Sequence, residues 1–283
     1  MYDNLSSFLG DAQSIPKRIM PVFFLVDTSG SMDGKNIGAV NSAIEEIIPD
    51  LRHLSESQAD SEIRLAVMQF SSGCEWVTPS LMALDSFDDW VPLQAGGLTE
   101  LGQALEELNN KLSKNGFLER SSASSGYYAP VIILLTDGEP TDDYVNPLKK
   151  LQENKWYQSA LKIAIAVGEA NKEVLKRIVR NIELVINVDD ISQLKKVIRF
   201  IAVTSSQIAS TSATVSEDIK PSDVKDVRPV QAEKQMVKAL KTMLEEDDSG
   251  HVSGADMTEE KEEESAPENT SPQIEEDDDD EWD

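Results

Sequence analysis

The sequence predicts a doubly wound α/β domain, a mostly parallel sheet of about six strands with helices on both faces, followed by a disordered acidic tail. Three observations carry that expectation. Apolar runs of strand length, such as VFFLVD at 22–27 and VIILLTD at 131–137, are nearly continuous rather than alternating, as in strands buried on both faces. Segments of helical spacing separate these runs, which is the βαβ order of a parallel sheet. Composition then shifts near residue 210, where large apolar residues thin out and charge and small polar residues take over.

The elements follow in order. After an N-terminal extension over 1–15, VFFLVD reads as a buried strand. NIGAVNSAIEEIIPDLRHL at 36–54 places Ile37, Val40, Ile44, Ile47, Ile48 and Leu51 on one helical face, and Pro49 predicts a kink or helix end. EIRLAVMQF at 62–70 is a second strand, and CEWVTPSL at 74–81 a third after the Ser-Ser-Gly turn, short enough for an antiparallel edge. A helix at 99–112, a strand at 131–137, a helix at 144–156 and a strand at 161–168 follow. A helix at 171–181, a strand at 183–188 and a helix at 190–208 close a domain spanning 16–209. Residues 210–231 read as a linker. Met236, Val237, Leu240, Met243 and Leu244 then share one face of a short amphipathic helix candidate at 232–246.

Charge is distributed unevenly. From Glu245 to Asp283 there are 19 acids and one base, a net of −18, which leaves −8 of the chain's −26 for residues 1–244. The 247–283 segment holds too little apolar surface to fold. No clustered stripe of Lys and Arg suggests nucleic-acid binding. No apolar run approaches the ~20 residues of a membrane helix, and the N-terminal stretch has no apolar signal core, so the expectation is a cytoplasmic protein. The single cysteine, Cys74, excludes an intramolecular disulfide and a Cys-rich zinc site, and reads as a strand or core thiol.

Ligands of open α/β sheets bind beyond the carboxyl ends of the strands, where the strand order reverses. Three stretches should meet there: Asp27-Thr28-Ser29-Gly30-Ser31, QAGGLTELG around Thr99, and LLTDGEPTDD around Asp137. They bring two carboxylates and three hydroxyls, all hard oxygen donors and without His or Cys. That set suits a small octahedral cation, Mg²⁺ or Mn²⁺, rather than zinc or copper. If the acids act through water and the hydroxyls bind directly, the ion stays electrophilic enough to accept a carboxylate from another molecule. Taken singly, each piece has a structural alternative: DTSGS as a capping turn, Thr99 as a helix cap, TDG as a strand exit. Asp33 reads as a cap for the following helix, and Glu139, Asp142 and Asp143 as caps for the next one along. Tyr127 and Tyr128 belong to the opposite end of the sheet, where they pack. His53 and His251 read as isolated surface residues. SMDGKN fails as a phosphate loop, lacking the first glycine and the terminal Ser or Thr.

DTSGS, Thr99 in GGLTELG, and TDG together resemble the metal-ion-dependent adhesion site of the von Willebrand factor type A family, a likeness covering about residues 16–209. It implies a doubly wound, Rossmann-like fold in which Ser29, Ser31 and Thr99 contact the metal while Asp27 and Asp137 hold it largely through water. It also implies a partner protein that supplies an Asp or Glu. GYYAPVIILLTDGEPTDD further resembles the bacterial cytoplasmic, tellurium-resistance-associated (TerY-like) branch, although the acidic tail and the lack of a Cys-based zinc module depart from it. The implied function is a non-catalytic, Mg²⁺-dependent interaction module in a bacterial stress-response assembly, with an intramolecular contact from the acidic tail as a further expectation. The alternatives are a metal-dependent phosphatase or hydrolase using Asp27, and a chaperone-like protein acting through its tail. The first lacks a second acid at position 29, a His base and a cation in the three loops.

Overall fold

The structure is a computed structural model that describes residues 17–87, 90–119, 123, 125–167, 170–188, 191–211 and 224–250. The expected 1–15 extension, most of the linker and the acidic tail beyond residue 250 lie outside them. The chain divides at residue 243 into a large unit, Met1–Met243, described below, and Leu244–Asp283.

Strand β1 (Arg18–Asp27) is the centre of the sheet because its residues are buried on both faces from Ile19 onward. On one side it pairs in parallel with β2 (Ser61–Ser71), from Arg18 opposite Ser61 to Asp27 opposite Phe70. On the other it pairs in parallel with β5 (Val131–Thr136), Val22 opposite Val131. Strands β6 (Leu161–Val167) and β7 (Val185–Val188) continue that side, also parallel. The far edge is antiparallel: β3 (Gly73–Trp76) and the two-residue β4 (Met82–Ala83) both pair with β2. The order is therefore β3-β2-β1-β5-β6-β7 with β4 beside β2, seven strands where about six were expected. The chain winds outward in both directions from β1, so the switch point lies between the carboxyl ends of β1 and β5.

Alternation along β1 sorts the core into two layers. Val22, Phe24 and Val26 pack with α1 (Lys35–Ser57) and α6 (Ile191–Thr211). Phe23 and Leu25 pack with α2 (Leu101–Lys111), α3 (Val145–Gln152), α4 (Lys155–Ser159) and α5 (Lys172–Ile178). The first layer also takes in Ala232, Met236, Val237 and Leu240 of α7 (Val224–Gly250), which begins within the stretch read as linker.

Several boundaries differ from the sequence reading. Helix α1 does not end at Pro49 but runs on to Ser57. A helix-interior proline costs about 3 kcal/mol, whereas Ile47, Ile48 and Leu51 are each buried, which is worth about 1.5–3 kcal/mol apiece; burial wins. The 74–81 strand stops at Trp76, because the amides of Val77 and Thr78 both turn to the Val67 carbonyl, at 2.9 and 3.4 Å. The 144–156 helix is two helices, since the Asn154 side chain accepts from Trp156 N at 2.9 Å and starts α4 afresh. Tyr127 and Tyr128 lie at the amino ends of the strands: Ile19 bridges to Tyr127, and the Tyr128 hydroxyl donates to Asp60 Oδ2 at 3.0 Å. Cys74 is half-buried on the edge strand, where burial and the nearby Glu107 and Glu100 push its thiol up to about 11. No helix among the described residues is long and apolar enough to cross a membrane.

Candidate metal centre

The three stretches expected at the switch point do meet there. Leaving β1, the Thr28 amide donates to the Phe70 carbonyl at 2.8 Å, which anchors the exit to β2. The loop of Asp27–Ser31 is then stitched to the glycine loop: Gly96 N donates to Thr28 O at 2.8 Å and Gly30 N to Gly97 O at 3.1 Å. Gly97 is required for this approach. Its φ is +87°, and a Cβ there would stand 2.8 Å from Ser72 Oγ.

The glycine loop is in turn tied to the loop after β5. Thr99 N donates to Thr141 Oγ1 at 3.1 Å, and Thr141 N returns a bond to Thr99 O at 2.9 Å. Asp142 caps α2 from across the gap, accepting from Gly102 N at 2.9 Å and Gln103 N at 3.0 Å. This corrects the reading of Asp142 as a cap for the next helix along. Asp143 fills that role, accepting from Val145 N at 3.0 Å. Glu139 instead accepts from Asn171 Nδ2 at 2.6 Å, beside the start of α5. Asp33 accepts from Gly34 N at 2.8 Å, and α1 begins without a side-chain cap.

Inside this frame the candidate ligands form a connected set. Ser31 Oγ donates to Asp137 Oδ1 at 2.7 Å. Ser29 Oγ lies 3.1 Å from Ser31 Oγ, within hydrogen-bonding distance. Gly138 marks where Thr99 joins the set: a Cβ at that position would stand 3.3 Å from Thr99 Oγ1 and 3.7 Å from Ser31 Oγ. Asp27 is fixed by two bonds, accepting from Ser29 N at 2.8 Å through Oδ1 and from Thr136 Oγ1 at 2.5 Å through Oδ2. The capping alternatives do not hold. Ser29 makes no side-chain cap, and the first amides of α2 go to Asp142 rather than Thr99.

Electrostatically the site is unbalanced. Asp27 is 0% exposed, with Ser29 at 2% and Thr99 at 6%. Burial raises the Asp27 carboxyl above its ordinary value; the hydroxyls of Thr136 and Ser29 and the Ser29 amide oppose that, while Asp137 adds to it. No Lys, Arg or His occurs in 27–33, 94–102 or 134–143. A buried carboxylate without a counter-charge is costly, and a cation is what this one lacks. The donor chemistry fits a hard ion: five side chains, all oxygen, three of them neutral. Among the described residues no group of three or more His, Cys, Asp or Glu gathers anywhere, so a metal site rich in acids or imidazoles has no rival location there. Thr136 and Thr141 escape the sequence reading, and Asp142 is legible there only as a cap for the wrong helix. Thr136 and Asp142 flank Asp137 in the quoted run, but nothing in their spacing says which loop they reach.

Known proteins match the same region. A sequence model of the von Willebrand factor type A domain matches residues 22–200. The collagen alpha-5(VI) chain of Mus musculus is 29% identical over 161 residues, covering 56% of this chain and 6% of its own length. Proximal thread matrix protein 1 from the mussel byssus, solved with a zinc-occupied MIDAS motif, superposes with a TM-score of 0.51 at 21% identity, over 66% of this chain and 49% of that one. The pilus adhesin SpaC from Lactobacillus rhamnosus GG, in an open conformation, gives 0.51 at 14% identity, over 67% and 31%. At these identities the two structures speak for the fold.

Proposed function

Because the chain belongs to the von Willebrand factor type A domain family, we propose that it is a non-catalytic protein-binding module working through a divalent cation, Mg²⁺ or Mn²⁺, held at Asp27, Ser29, Ser31, Thr99 and Asp137. The observation that carries this reading is Asp27, a fully buried carboxylate beside a second one, with no cationic side chain in the surrounding loops. When bound, the ion supplies Lewis acidity toward an incoming oxygen. Everything else is done by the chain. Ser29, Ser31 and Thr99 offer neutral oxygens, Asp27 and Asp137 supply the charge that retains the cation, and Thr136, Thr141 and Asp142 hold the three loops in register. With Asp27 and Asp137 acting through water, the cation would meet only neutral hydroxyl oxygens directly and stay electrophilic toward a carboxylate, which a partner's Asp or Glu provides.

The same loops speak against hydrolysis. They hold no imidazole to act as a base and no cation to steady a phosphate, and two residues after Asp27 stands Ser29 rather than a second acid. The lone cysteine suits a reducing compartment, and the GYYAPVIILLTDGEPTDD stretch suits a bacterial stress-response assembly as the setting.

Affinity capture tests this. Native lysate passed over the immobilised protein in Mg²⁺ should leave partners that EDTA releases and that a Ser29→Ala column does not retain. Retention that survives both EDTA and Ser29→Ala overturns the reading.

A further inference from the structure

One face of the domain carries charge opposite in sign to the chain. Residues 145–180 hold eight Lys or Arg and three acids, a net of +5 within a chain of net −26. Of the eight, Lys162 is buried in β6, its Nζ donating to the carbonyls of Tyr157 at 3.0 Å and Ala160 at 2.6 Å. The other seven are exposed: Lys149 and Lys150 on α3, Lys155 on α4, Lys172, Lys176 and Arg177 on α5, and Arg180 just after it.

These helices form one surface. Gln152 Nε2 donates to Arg177 O at 3.1 Å, Arg177 Nη1 to the Tyr144 hydroxyl at 3.2 Å, and the Tyr157 hydroxyl to Ile178 O at 2.8 Å. Leu148, Leu151, Tyr157, Val174, Leu175 and Ile178 all turn inward to the same core layer, which leaves the charged residues outward. Glu153 and Glu173 are the exposed acids of the three helices. Among the described residues the ion pair on this face is Lys150 Nζ to Glu106 Oε1, at 4.0 Å. Asp143 stands near Lys149, and Glu173 shares α5 with Lys176 and Arg177, yet cations outnumber acids on this face of a molecule that is otherwise strongly acidic.

We propose that the α3–α4–α5 face docks an acidic, extended segment of a partner protein, independently of the metal centre. Charge complementarity names the chemistry, and size narrows it. Three helices at ~8–10 Å spacing present about 25–30 Å of surface, which roughly eight residues of extended peptide cross at ~3.3 Å each. Duplex nucleic acid fits poorly, because its phosphates continue at about one charge per 1.7 Å past the patch and meet the acidic remainder of the chain.

The test uses the full chain, a fluorescein-labelled twelve-residue peptide of alternating Asp and Glu, and anisotropy read in EDTA so that the metal centre is silent. The peptide should bind at about 50 mM salt and weaken steeply toward 500 mM, as screening shortens to a few ångströms. The triple variant Lys155→Glu, Lys176→Glu, Arg180→Glu should bind at least about tenfold more weakly; the corresponding triple Gln variant serves if charge reversal impairs folding. No binding by the unmodified chain overturns the proposal, and so does undiminished binding by the variant. Tighter binding of a DNA duplex matched in charge overturns it too, assigning the face to nucleic acid.

Discussion

Asp27→Asn is expected to stabilise the metal-free protein and to abolish its response to Mg²⁺. The buried Asp27 carboxyl has a raised folded-state pKa, so the stability tied to its protonated form is fully present below the ordinary value of 3.8. It is lost as pH rises through the higher folded value. Above that folded value the ionised group is a buried carboxylate with no cationic side chain in the surrounding loops. Asparagine keeps the neutral form at every pH. Its oxygen accepts from Ser29 N and its amide donates to Thr136 Oγ1, so both contacts survive. In EDTA at pH 7 the variant should melt about 2–4 °C above the unmodified chain, the movement that ~1 kcal/mol produces in a domain of this size. Saturating Mg²⁺ should reverse the order. A ligand at a hundred times its Kd adds about 2.7 kcal/mol to a protein that binds it and nothing to one that does not. Thermal melts of both proteins with Mg²⁺ and with EDTA decide it, and equal Mg²⁺ shifts would remove Asp27 from the site.

Gly102→Ala is expected to damage the site without touching a ligand. A Cβ at Gly102 would collide with the Asp143 carbonyl oxygen and stand 2.7 Å from Asp142 Oδ2 and 2.9 Å from Asp143 C. Two of these three neighbours are backbone and cannot step aside cheaply. The 141–143 segment must move, and with it go the Asp142 bonds to α2 and the Thr141 bonds that fix Thr99. Overpacking of this kind costs about 1–3 kcal/mol. A urea titration should show a lower midpoint at unchanged slope, and Mg²⁺ should stabilise the variant less. Gly38→Ala is the comparison, since nothing lies within 4 Å of a Cβ there and α1 should gain from the change. If Gly102→Ala matches the parent in both stability and Mg²⁺ response, the cross-loop brace has no part in forming the site.

What could be read from the sequence follows from what is local. VFFLV, LAVM and VIILL announce buried parallel strands because each run is apolar without interruption. That the stretches around Asp27, Thr99 and Asp137 would meet was legible because strand ends of a doubly wound sheet converge by topology, whatever the loops between them do. The brace was not legible. That Asp142 would cap α2 rather than the helix following it depends on two loops lying within 3 Å of each other, a fact of tertiary structure. A helix end at Pro49 is not what forms: the apolar face of α1 is legible on both sides of the proline, but only the packed structure shows how deeply Leu51 beyond it is buried. The stripe Met236, Val237, Leu240 was visible as amphipathic, but a stripe says nothing of whether a surface exists to receive it. The basic face went unseen because its cations are spread over three helices and gather only when those helices lie side by side.

If the three loops form one divalent-cation site, the metal-stripped chain binds a single such ion. Titration of Mn²⁺ into the metal-stripped full chain, followed by the loss of the free-ion electron paramagnetic resonance signal, measures this directly. One saturable site, displaced by Mg²⁺ and missing in both Asp27→Asn and Ser31→Ala, is the predicted result. Absence of saturable binding, or binding that both variants retain, would contradict it.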